Sequence, residues 1–264
     1  MKRFYIINLF IIFAALLSSC EDLIDINLND SDPRIVIEAD LQDRSTEHRI
    51  MVTRTIPFND SRPNDPVDDA EVRLVAANGA IHSFEYSASA NAYVNRTLRL
   101  REGSRYSLRV AVGDQIYEST ETMPRRVPVD SVGVLRENIF NETFYFATLR
   151  FKDPANVANY YKYNIAIDGK PMKFSQAYSD KFNDGLNVVH QIGSADDDVT
   201  NTSTMVVRRH SITASVFKYW NDIQTTNPGS AAPANPTSNI SNNALGYFSL
   251  STVDEFRFDF SDYD

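Results

Sequence analysis

In RIVIEADL, residues 34–41, Ile35, Ile37, Ala39 and Leu41 fall on one side of an extended chain and Arg34, Glu38 and Asp40 on the other. Period-two alternation marks a strand with one buried face, and it recurs along the whole chain. HRIMVTRTIP (48–57) sets Ile50, Val52 and Ile56 on one face, and EVRLVAA (71–77) sets Val72 and Leu74. RYSLRVAV (105–112) sets Tyr106, Leu108, Val110 and Val112 against Arg105, Ser107 and Arg109. Asn78-Gly79, Glu102-Gly103 and Gly113-Asp114 punctuate these runs as turns. Residues 33–124 therefore read as about seven short strands, an immunoglobulin-like or transthyretin-like β-sandwich. The polar SRPNDPVDD (61–69), with two prolines, is expected as a loop at one end and not as a strand.

MPRRVP (123–128) marks a boundary, and residues 127–264 are expected as a second β domain. FYFATLRF (144–151) and YYKYNIAI (160–167) alternate strongly, Asp168-Gly169 closes the latter, and EFRFDF (255–260) puts three phenylalanines on one face. Leu186 to Ile192 and Thr204 to Arg209 are further strand candidates. One segment breaks the period. In SITASVFKYWNDIQ (211–224), Ile212, Val216, Tyr219, Trp220 and Ile223 recur at helical spacing. An amphipathic helix near 211–225 is predicted, capped by Ser211, with Trp220 buried. Residues 227–243, with three prolines and many small polar residues, read as a long loop. The fold class is thus mostly β with one helix.

The first nineteen residues have a different character. Lys2 and Arg3 precede an apolar run from Phe4 to Leu17, then Ser18 and Ser19. That is a secretory signal, and the run is shorter than the roughly 20 residues of a spanning helix. Leu17-Ser18-Ser19-Cys20 resembles the lipobox of bacterial lipoproteins, which implies cleavage between Ser19 and Cys20. The resemblance also implies a diacylglycerol group on the Cys20 thiol and a fatty acid such as palmitate on its amine. Cys20 is the only cysteine, so no internal disulfide competes for it. Each buried CH2 contributes about 0.8 kcal/mol, so several acyl chains make a firm anchor. Glu21, Asp22, Asp25, Asp30 and Asp32 form an acidic tether over residues 20–32. Such acids after the cysteine resemble the signal that sends Bacteroidetes lipoproteins to the outer face of the outer membrane.

Loss of Lys2 and Arg3 with the leader moves the formal charge of −9 by two units, to −11. With no basic cluster, nucleic acid is excluded as a partner. Catalytic signatures are absent: there is no G-x-S-x-G elbow, no phosphate loop and no dinucleotide fingerprint. His48, His82, His190 and His210 show no metal-ligand spacing. A pair of carboxylates for glycoside hydrolysis can be drawn from 35 acids in many ways, so composition leaves a hydrolase open. Asp196, Asp197 and Asp198 invite a calcium reading but lack the alternation and glycine of a calcium loop. Asp180, Asp184 and Gly185 offer a second acidic loop. Tyr160 is either packed under the helix or free to stack on a sugar or peptide. Asp130-Ser131-Val132 fits a short O-glycosylation pattern at Ser131. No cofactor and no metal are expected.

The acidic linker, RIVIEADL, the Arg54-Thr55-Ile56-Pro57 stretch, ANYYKYNI (158–165), YSDKFNDG (178–185), VFKYW (216–220) and NPTSNISNNALGYFS (235–249) follow one another in an order that resembles the domain of unknown function 4249, a Bacteroidetes lipoprotein family. Members more often carry glycine where this chain has Asn242 or Asn243. The resemblance implies a non-catalytic companion of a TonB-dependent β-barrel transporter. An adhesin or pilus-type subunit is the alternative, since sandwiches polymerise by strand addition.

Overall fold

A computed structural model describes residues 33–56, 65–194, 197–226 and 235–263. Eight strands come first: β1 (Ile35–Gln42), β2 (His48–Arg54), β3 (Asp65–Pro66), β4 (Glu71–Ala76), β5 (Ile81–Ser87), β6 (Ala92–Asn95), β7 (Arg105–Val112) and β8 (Gln115–Thr122). Then follow β9 (Ser131–Ile139), β10 (Glu142–Lys152), β11 (Tyr160–Ile167), β12 (Lys173–Ser179), β13 (Asn187–Ile192) and β14 (Thr204–Ile212). Helix α1 (Ala214–Thr226), β15 (Leu245–Asp259) and a 3-10 turn at Phe260–Tyr263 complete the chain. Among the described residues the protein is mostly β with one α-helix. Among the described residues no helix is long and apolar enough to cross a membrane.

Twelve strands form one sheet in the order β12-β11-β14-β15-β1-β2-β6-β5-β4-β7-β8, with β3 added to β2. Its pairings are antiparallel except β1 with β15, which run parallel from Val36↔Leu245 to Gln42↔Ser251. The sheet folds back on itself. Ile37, Leu41, Val52, Phe248 and Leu250 from its middle share one core with Leu74, Val110 and Tyr117 from its end. The sandwich is closed where the Ser241 N–H donates to the Glu118 carbonyl and its Oγ accepts from the Glu118 N–H at 2.7 Å. A three-stranded sheet, β13-β10-β9, covers the other end. There Leu149, Phe151 and Ile192 pack on Tyr161, Tyr163, Val207 and Phe258 in a second core. The first core takes Ile240, Ala244, Phe248 and Leu250 from beyond residue 127 as well as residues 35–123, and β15 serves both cores. Phe248 and Leu250 have the same parity along the strand as Phe256, Phe258 and Phe260, so one face lines both cores.

Helix α1 covers the opposite face. Tyr160 stacks on Phe217 at 5.2 Å, Phe174 on Trp220 at 4.6 Å and Tyr247 on Tyr219 at 4.7 Å. Three local expectations are corrected. The helix begins after Thr213, whose carbonyl accepts the Phe217 N–H at 2.9 Å, while Ser211 remains in β14. Trp220 is half-buried, because the helix lies on the rim of the sheet. Asp65-Pro66, expected as loop, forms a two-residue bridge to Thr53 and Arg54, where proline is tolerated because the position is short and at an edge.

Candidate functional site

Two loops meet beside the end of the second core and bring three carboxylates together. Residues 153–159 follow β10, where Pro154 stops the strand, and residues 180–186 follow β12. The Asp153 N–H donates to the Leu186 carbonyl at 2.9 Å, and the Asp180 N–H to that of Asn159 at 3.1 Å. These bonds zip the loops together. Asp153 Oδ1 accepts from the Tyr161 hydroxyl at 2.7 Å, Asp180 Oδ2 from the Asn159 N–H at 2.6 Å and Asp184 Oδ1 from the Asn156 N–H at 2.8 Å. One carboxylate oxygen of each residue lies within 4.8 Å of the others. Gly185, at φ +72°, sits where a Cβ would lie 2.9 Å from that of Ala155, so only glycine lets the loops approach this closely.

Asp153 is only 1% exposed, and its Oδ2 is buried and meets no donor in hydrogen-bonding geometry. Burial pushes its carboxyl above the usual range, and the charges of Asp180 and Asp184 push the same way. The Tyr161 hydroxyl and the Gly185 backbone N–H oppose them. Burial and the bond to Asp153 hold the Tyr161 phenol far above its ordinary value, so it stays a donor at neutral pH. Below it, the Arg209 guanidinium stacks on Phe151 at 4.2 Å and on Tyr161 at 4.5 Å. Lys181 turns its Nζ over the Phe182 ring at 5.3 Å.

Beside the cluster, a groove of about 580 Å3 runs between α1 and the 180–186 loop, lined by Tyr160, Asp180, Lys181, Phe217 and Asn221. Tyr160 therefore packs on the helix and also borders open space. Phe182 projects next to the groove, 83% exposed. At another corner, the β9–β10 hairpin turns on Phe140 and Asn141, both with positive φ (49° and 68°). That is the geometry of a type I′ turn, which favours Asn and Gly. Phe140 sits there 97% exposed. A bulky side chain held left-handed with no intramolecular packing is an outlier that points to a use elsewhere.

Cys20, Ser19 and Asp196 lie outside the described residues. Asp197 is bound by Lys170 and Lys173, each at 2.7 Å, which drives its carboxyl well below the usual range. Asp198 is exposed, and among the described residues neither Asp197 nor Asp198 belongs to a cluster of metal-ligating groups. Ser131 opens β9, exposed. The four histidines stand on four different strands. His190 meets the Tyr163 hydroxyl at 2.8 Å. His210 meets Ser251 Oγ at 3.1 Å, which resembles a nucleophile and its base. Both are closed to solvent, and burial drops the His210 imidazole to about 3, too weak a base for neutral pH. Asp153 and Phe140 are the site residues that sequence reasoning missed. Asp180, Asp184 and Gly185 do stand at the first, fifth and sixth places of a calcium-loop pattern, a spacing that could have flagged the cluster.

The model of a family described as a domain of unknown function (DUF4249) matches residues 21–257. No curated protein matches the chain. Among solved structures, a two fibronectin type III domain segment from chicken tenascin is 13% identical, covering 69% of this chain and 91% of that one at a TM-score of 0.20.

Proposed function

The chain belongs to the family of domain of unknown function 4249, and from that premise we propose that it is a non-catalytic binding subunit on the bacterial outer membrane. It is held at the cell surface by the lipid on Cys20 and docks on a TonB-dependent β-barrel transporter. The observation that carries docking is Phe140, an exposed aromatic in a left-handed turn that its own fold does not use. Exposed aromatics that fill a partner's pocket dominate binding energy at interfaces. At the β8 edge, Asn239 and Ser241 hydrogen-bond to Ser119 and Glu118, which hinders strand addition at that edge.

The test is a mild-detergent pull-down of the tagged, lipidated protein from outer membranes, followed by mass spectrometry. Wild type is expected to bring a stoichiometric β-barrel. Phe140→Asn suits the turn, so the folded protein keeps or gains about 1 kcal/mol while the barrel recovered falls at least tenfold. Recovery of the protein alone, or of its own oligomers, would turn the reading toward the adhesin.

A further inference from the structure

We propose that Asp153, Asp180 and Asp184 form a calcium site. The argument does not depend on docking to a transporter. Two oxygens that bind one ion at about 2.4 Å lie at most about 4.8 Å apart, the range of calcium–oxygen contacts. The three carboxylates meet that limit. Each accepts a hydrogen bond, from Tyr161 for Asp153, Asn159 for Asp180 and Asn156 for Asp184, and the Gly185 N–H also faces the Asp153 carboxyl. The arrangement fixes the side chains and leaves an oxygen of each for the ion. Asp153 Oδ2 is the observation that separates this cluster from an ordinary acidic surface. A buried carboxylate oxygen without a donor is rare and costly unless something cationic satisfies it. Three carboxylates supply the charge that a hard cation neutralises. Asp184 is exposed, so the site opens to solvent on one side, where water completes the shell. The ion would also pin the 153–159 loop to the 180–186 loop, and with it Phe182 at the rim of the groove.

Calcium is favoured over magnesium by chemistry. Magnesium demands near-ideal octahedral geometry and keeps its waters, whereas calcium accepts irregular carboxylate cages. An open site of three carboxylates fits the affinity of extracellular modules, about 10^-4 to 10^-3 M.

The experiment uses the full-length protein in detergent, stripped with EDTA and returned to chelator-free buffer. Calcium chloride is titrated by calorimetry, and terbium is followed by tyrosine-sensitised luminescence, with Tyr161 as the antenna. One equivalent of calcium is expected to bind with saturable heat, raise the melting temperature by several degrees and displace terbium. Asp184→Asn changes an exposed side chain, so its melting temperature in EDTA should match wild type while calcium affinity falls at least tenfold. Asp198→Asn should bind as wild type does. Absence of saturable heat up to several millimolar calcium, or unchanged affinity in Asp184→Asn, would overturn the site. Equal binding of magnesium would overturn its assignment to calcium.

Discussion

Gly246 shows how much one residue can decide. It stands opposite Ile37 in the parallel β1–β15 pair with φ +84°, and a Cβ there would lie 2.1 Å from the Ile37 carbonyl oxygen. No rotamer relieves that contact, because both partners are backbone. Gly246→Ala is expected to cost at least about 3 kcal/mol, read as a fall in the urea midpoint at unchanged slope. A variant as stable as wild type would mean that the two strands are not paired in this register. Three and four residues earlier, Asn243 and Asn242 adopt φ of 61° and 55°. Asparagine is the side chain best suited to the left-handed region. Both residues therefore hold the turn that leads into β15 without a glycine.

At the scale of elements, Lys162 joins β11 to β1 beneath α1. Its side chain is 1% exposed, its Nζ donates to Asp40 at 2.8 Å, and it lies 4.8 Å from the Trp220 ring. Alternation along YYKYNIAI identified Tyr161, Tyr163, Ile165 and Ile167 as one buried face, and the structure buries them. It could not show that the opposite face is buried too, because the cover is a helix some fifty residues further on. Removing one partner of a buried pair leaves a charge unpaired. Lys162→Met should cost about 3 kcal/mol, and adding Asp40→Asn should restore most of that loss. Additive losses in a double-mutant cycle would show that the pair is not coupled. Asp153 was hidden for a similar reason. Its partners Asp180 and Asp184 follow β12, and their calcium-loop spacing does not point to Asp153.

For the whole molecule, strand positions were legible because one buried face imposes period two. Which strands neighbour one another was not, since β1 pairs with a strand 200 residues away and β15 lines both cores with one face. That closure carries three histidines inside, His48, His190 and His210. Burial, aided by the Arg209 charge, lowers the His190 imidazole to about 3. Burial, aided by Lys162 and opposed by Asp40, does the same to His210. His48, also buried, shifts in the same direction. In the unfolded chain these groups titrate near 6.5. Only the unfolded state then takes up protons as pH falls from about 6.5 toward 3. The stability contributed by the neutral histidines is fully present above about 6.5 and is lost progressively below it. Each histidine contributes a slope of up to about 1.4 kcal/mol per pH unit, so His190 and His210 together should remove about 4 kcal/mol between pH 7.5 and pH 5. The pairs formed by Asp197 and Glu255 act in a lower window, because carboxylates held below their usual range lose their contribution only as pH falls past about 4. Urea midpoints at the two pH values measure the difference. The variant His190→Gln, His210→Gln should flatten the dependence between them. A wild-type midpoint that does not move over this range would mean that the interior admits protons in the folded state, and the two cores would then be less closed than their packing indicates.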